Sequence, residues 1–169
     1  MALRLEGRVE LVDGMTFRGV SGSSHAVVMD AEPAAGGKEQ GGRPMEVVLL
    51  AFGGCTGMDV ISILRKMRQD VSGYEVRLVG ERTDQQPTVF TDITVEHVVR
   101  GRNLNIDNVR RAVELSATRY CPVSAMLSGG GVRITERYRT IDEATNEEKA
   151  GVLEKTEGGD PPAGSGGGS

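Results

Sequence analysis

Two cysteines, Cys55 and Cys121, are all that 169 residues contain, too few for a disulfide-stapled secreted scaffold. Histidine is as scarce. His25 and His97 stand alone, and no pair among these four residues has the spacing of a zinc site. No charge of one sign dominates: 20 basic and 24 acidic residues give −4, and nothing global points to nucleic acid. An uninterrupted apolar run is missing too. Pro44 to Leu64 carries only Glu46 and Asp59 as charges, but Gly53, Gly54 and Gly57 break it. Both charges fall inside the 20-residue length a bilayer requires, so a helix buried in a soluble protein is expected rather than a membrane span. The opening Met-Ala-Leu-Arg-Leu-Glu alternates charge and does not read as a secretory leader. The expected location is the cytoplasm, with neither nucleic acid nor membrane as partner.

What is present can fold. Hydrophobic residues make up 38% and charged residues 26%, enough for a packed core. The charge is unevenly placed. Glu143, Glu147, Glu148, Glu154, Glu157 and Asp160 face only Lys149 and Lys155, so the whole net charge lies after residue 142. Residues 1–142 are therefore expected to form one domain, and 143–169 an acidic, Gly-rich flexible tail. A short helix is allowed over 142–153, and no stable structure is expected beyond Gly158.

Leu3, Leu5, Val9 and Leu11 alternate with Arg4, Glu6, Arg8 and Glu10, the period of a half-buried strand. Asp13-Gly14 signals a hairpin turn into a strand over 15–20, and 25–29 makes a third. Residues 30–43, with Gly36, Gly37, Gly41, Gly42 and Pro33, read as a mobile loop. Pro44 suits the first turn of a helix, and Glu46 suits its positive end. That helix is apolar on all sides from Val47 to Phe52 and keeps helical spacing through Met58, Ile61, Leu64 and Met67, with Gly73 as its stop. Strands follow over 74–78 and 93–99. Asn105 caps a helix carrying Val109, Ala112, Val113 and Ser116 on one face. Tyr120-Cys121-Pro122 breaks it and starts a short helix that ends at Gly129-Gly130-Gly131, before a closing strand over 132–138. This order is α+β.

Cys121 stands where a helix N-cap belongs, and unpaired helix N–H groups favour a thiolate there. Cys55 follows Gly53-Gly54, where missing side chains allow close approach of a ligand or another backbone. The plainer alternative makes both cysteines small core hydrophobes.

The run Pro44-Met45-Glu46-Val47-Val48-Leu49-Leu50-Ala51-Phe52-Gly53-Gly54-Cys55, with Cys121-Pro122-Val123-Ser124 far downstream, resembles the OsmC/Ohr family of osmotically inducible and organic-hydroperoxide-resistance proteins. The resemblance spans roughly residues 3–141, and Asp59-Val60-Ile61-Ser62-Ile63-Leu64 is similar to the YhfA-type branch. It implies an OsmC-like fold of antiparallel sheets around a central apolar helix, assembled as an intertwined homodimer. It also implies a thiol-dependent peroxidase without metal or organic cofactor. Cys55 would be the peroxidatic nucleophile and Cys121 the resolving thiol, with a Cys55–Cys121 disulfide reopened by a dithiol reductant such as a lipoylated protein. The family activates its thiolate with an arginine–glutamate pair. The glutamate usually follows a proline directly, whereas here Met45 follows Pro44 and Glu46 lies nine positions before Cys55. Glu46 is thus a catalytic candidate or only a first-turn acid. Arg18 is the arginine candidate and Arg43 an outside one, each also explicable as a surface residue. A different class stays open: the same dimer binding a small apolar ligand, or sensing redox state, without catalysis. His25, His97 and Arg110-Arg111 read as strand and helix-face residues.

Overall fold

Alternation and capping signals resolve into seven strands and three α-helices in a computed structural model that describes residues 4–153. The order is β1 (Gly7–Asp13), β2 (Thr16–Ser21), β3 (Ala26–Met29), α1 (Pro44–Lys66), β4 (Asp70–Arg82) and β5 (Phe90–Arg102). Then come α2 (Ile106–Leu115), α3 (Pro122–Gly129), β6 (Arg133–Asp142) and β7 (Glu148–Val152). The α+β class stands. Two compact units make up the fold, with the boundary after Leu50, inside α1.

In the first unit β1, β2 and β3 form an antiparallel meander, with Glu10 facing Arg18 and Arg18 facing Val28 in register. The same register puts Val9, Leu11, Phe17, Val27 and Met29 on one face, since facing residues share a side. β1 was expected to be half-buried, yet it is exposed along its whole length, because no element of this unit covers that face. The loop after β3 is built around a carboxylate. Asp30 is buried and accepts hydrogen bonds from Ala31 N–H (2.8 Å), Lys38 N–H (3.0 Å), Gln40 N–H (3.1 Å) and the Thr16 hydroxyl (3.1 Å). Two of its glycines serve close approach rather than looseness. A Cβ on Gly37 would lie 1.7 Å from the Ala31 carbonyl oxygen, and one on Gly41 would lie 2.4 Å from that of Val28.

The second unit is a four-stranded sheet, β4-β5-β6-β7, under helices. One ladder of this sheet is parallel: β5 and β6 run together from Asp92↔Arg133 to Gly101↔Asp142. The reason is the connection. Parallel neighbours need a crossover, and α2 and α3 supply it. Val60 and Leu64 of α1 pack with Val99, Val109, Ala112, Val113 and Tyr138 in one buried cluster. By length and composition α1 is apolar enough to cross a membrane, and of its apolar side chains Phe52, Val60 and Leu64 are fully buried while Leu50 and Met58 are exposed.

Two boundaries differ from expectation. α1 ends at Lys66, where Arg68 adopts a left-handed φ of 56° and turns the chain, so Gly73 lies inside β4 at a register slip instead of stopping the helix. Residues 143–153, read as the start of a tail with a possible helix, carry a turn and then β7. β7 pairs antiparallel with β6, Tyr138 facing Gly151. The rest of the expected tail, 154–169, lies outside the described residues.

Candidate active site

Cys55 lies in the middle of α1 and is half-buried. Its two preceding glycines play different parts. A Cβ on Gly53 would come 2.6 Å from Leu78 Cδ1, so Gly53 lets α1 lie close over β4, whereas Gly54 faces open space. Cys121 is the N-cap of α3, as the Cys-Pro step implies: its backbone is extended (φ −75°, ψ 106°), and Pro122 opens the helix. Its Sγ accepts the Ser124 N–H at 3.4 Å.

The two thiols meet. Cys121, buried, sits within hydrogen-bond reach of Cys55. The cap was expected to favour a Cys121 thiolate, but the opposite holds: the Cys121 pKa is pushed up to about 12. Burial is the largest cause, and the hydrogen bond and charge of Cys55 add to it. The opposing N–H groups of Ser124 and Val123 are too weak to compensate. Cys121 is therefore a protonated thiol at neutral pH.

The other two candidates belong to the first unit. Glu46 is exposed, and its Oε2 accepts the Arg43 N–H at 2.9 Å, a side-chain cap at the start of α1. Its Oε1 lies 3.8 Å from the Arg43 guanidinium. Arg18 is exposed on β2 and has no ion-pair partner among the described residues. Within this unit the arginine beside Glu46 is thus Arg43, not Arg18.

Sequence reasoning missed two buried polar chains in the second unit. Ser116 Oγ donates to Asp59 Oδ2 at 3.1 Å and lies 2.9 Å from Thr56 Oγ1. His97, read as an ordinary strand residue, is fully buried, with Nδ1 2.6 Å from the Tyr74 hydroxyl and Nε2 3.0 Å from Glu136 Oε2. A usable signal existed: His97 and Glu136 each occupy the apolar phase of an alternating strand, between Val95 and Val99 and between Ile134 and Tyr138.

The OsmC-like protein family model matches residues 36–137, well over half of the chain and inclusive of both cysteines. The chain belongs to the OsmC family. This OsmC protein is 44% identical over 137 residues to protein YhfA of Escherichia coli strain K12, covering 81% of this chain and 98% of YhfA. A crystal structure of a protein from Aquifex aeolicus VF5 is 27% identical and superposes with a TM-score of 0.73, covering 84% of this chain and 99% of that one. The fold is shared further out. An organic hydroperoxide resistance protein from Legionella pneumophila, 9% identical, has a TM-score of 0.60 over 83% of this chain and 98% of its own. The family brings the OsmC-like fold.

Proposed function

We propose that this OsmC protein is a thiol-dependent peroxidase that reduces organic hydroperoxides. The observation that carries the reading is the pairing of a half-buried Cys55 with a buried, protonated Cys121 within hydrogen-bond reach. A thiol held at about 12 is a poor first nucleophile, so attack falls to Cys55. Cys55 thiolate takes one oxygen of ROOH, becoming a sulfenic acid, and the alkoxide leaves and is protonated to ROH. The Cys121 sulfur then displaces hydroxide from Cys55–SOH, and the Cys121 proton leaves with that hydroxide as water. A disulfide results. The first step also prepares the second: a sulfenic acid is neutral, so the charge of Cys55 no longer holds the Cys121 proton. An external dithiol, of the lipoyl kind, reopens the bond by exchange. Activation of Cys55 is assigned, on family resemblance, to Arg18 and Glu46, with Arg43 tested beside Arg18 because it already holds Glu46.

The protein is proposed to work as a homodimer in the cytoplasm. Val9, Leu11, Phe17 and Val27 lie on one uncovered sheet face, which a second copy would bury. Light scattering at micromolar concentration should give twice the subunit mass.

Cumene hydroperoxide tests the chemistry. Two thiols per subunit should be consumed, leaving one intramolecular disulfide. Cys55→Ser should abolish turnover, and Cys121→Ser should overoxidise at Cys55. Intact thiols in excess hydroperoxide would end the peroxidase reading and leave an OsmC-fold protein that binds a small apolar ligand.

A further inference from the structure

Between α2 and α3 the chain makes a single π-helical turn, Ser116–Tyr120, closed by the Cys121 N–H donating to the Ser116 carbonyl at 2.9 Å. Such turns insert one extra residue into a helix and cost hydrogen-bond quality, so they persist where something repays them. Ser116 is the residue that ties this turn down. Its backbone carbonyl holds the amide of Cys121, while its side chain, with no exposure to solvent, is bonded to α1 on both sides of a single hydroxyl. A serine has one hydroxyl proton, and that proton goes to Asp59 Oδ2 (3.1 Å). The Thr56 hydroxyl, 2.9 Å away, is therefore the donor to Ser116 Oγ. Thr56 directly follows Cys55. One buried residue thus grips the amide of one cysteine and the neighbour of the other.

We propose that Ser116 is a positioning residue for the cysteine pair: its hydrogen bonds to Thr56 and Asp59 lock the π-turn against α1 and so fix Cys121 Sγ over Cys55. The proposal rests on the redox reading of the pair but needs no peroxide. Its measure is how readily the two thiols become a disulfide. In exchange with oxidised dithiothreitol, both protein thiols lose their protons and one electron each, the Cys55–Cys121 bond forms, and the reagent disulfide is reduced to its dithiol.

The test is the equilibrium constant of that exchange at 25 °C, beside thermal unfolding of each reduced protein. Ser116→Ala should lower the constant at least tenfold, a rise of about 30 mV in reduction potential. Asp59→Asn keeps a carbonyl acceptor for Ser116 and should stay within twofold of the unaltered protein. Thr56→Val removes the second hydroxyl at constant volume and should fall with Ser116→Ala. It also keeps the test decisive if Ser116→Ala does not fold. A lowered unfolding temperature with an unchanged constant in Ser116→Ala or Thr56→Val would reduce the link to a fold contact and overturn the proposal. So would an Asp59→Asn constant as low as that of Ser116→Ala. Failure of the unaltered protein to form the disulfide would overturn the redox reading as well.

Discussion

His97 Nε2 lies 3.0 Å from Glu136 Oε2, and neither side chain is open to solvent. A neutral imidazole satisfies both of its contacts: Nε2–H donates to Glu136, and Nδ1 accepts from the Tyr74 hydroxyl at 2.6 Å. Tyr74 is a secure donor, because burial, and then the charges of Glu136 and Asp59, push its pKa far above the usual phenol range. Tyr74→Phe should strand Nδ1 without a donor and cost about 1–3 kcal/mol in urea unfolding. Unfolding midpoints equal to the unaltered protein's would mean the chain from Tyr74 to Glu136 contributes nothing to stability.

Cys121 gives a pH prediction with a fixed sign. Its folded pKa, about 12, lies above the ordinary thiol value of 9.0, so its share of stability is complete below pH 9 and is lost as pH rises toward 12. Reduced protein should therefore lose stability over that window, and Cys121→Ser should lose less. In Cys55→Ala the Cys121 thiol should titrate lower than in the unaltered protein, yet still above 9, because burial is the larger cause. Alkylation rates against pH at position 121 decide it; an unmoved profile would deny the contact between the thiols.

Asp30 should govern the loop that follows it. Burial raises its pKa, but the N–H groups of Gln40, Lys38 and Ala31 and the Thr16 hydroxyl outweigh that and hold the carboxyl below the usual range. The stability it contributes is present above the ordinary carboxylate pKa and fades as pH falls through the depressed folded value. Asp30→Ala should open residues 31–43 to limited proteolysis at neutral pH. Gly37→Ala should do so too, since its Cβ meets backbone at 1.7 Å.

Ending the chain after Asn146 should destabilise the second unit, because β7 covers the edge of β6, and Leu153 packs against the buried cluster beyond it. Gly151→Val should act in the same direction at smaller scale, as a Cβ there falls 2.3 Å from the Tyr138 hydroxyl. A melting temperature indifferent to both changes would make β7 an ornament of the sheet.

Local signals made much of this legible from sequence. Asn105 caps α2 by accepting from Asp107 and Asn108 N–H, Pro44 and Pro122 open their helices, and the Asp13-Gly14 turn joins β1 to β2. Each depends on neighbours within a few residues. What stayed hidden depends on distant ones. β7 reads as a polar segment, and pairing with β6 makes it a strand. Cys121 carries an N-cap signature that promises a thiolate, but burial, set by the packing of the whole unit, reverses the outcome. The arginine nearest Glu46 is likewise fixed by a helix cap at Arg43, which the spacing from Arg18 does not reveal.

Cys55 and Cys121 stand 66 positions apart, the first in α1 and the second at the cap of α3 in the crossover that returns the chain to β6. A bond between them would close a loop of that length in the unfolded chain, and chain-entropy arithmetic puts the resulting restriction at about 4 kcal/mol. Oxidised molecules should then outlast reduced ones under heat, so each turnover would carry the protein between a more and a less heat-resistant form. A melting curve would serve as a redox gauge, read without any chromophore or added probe.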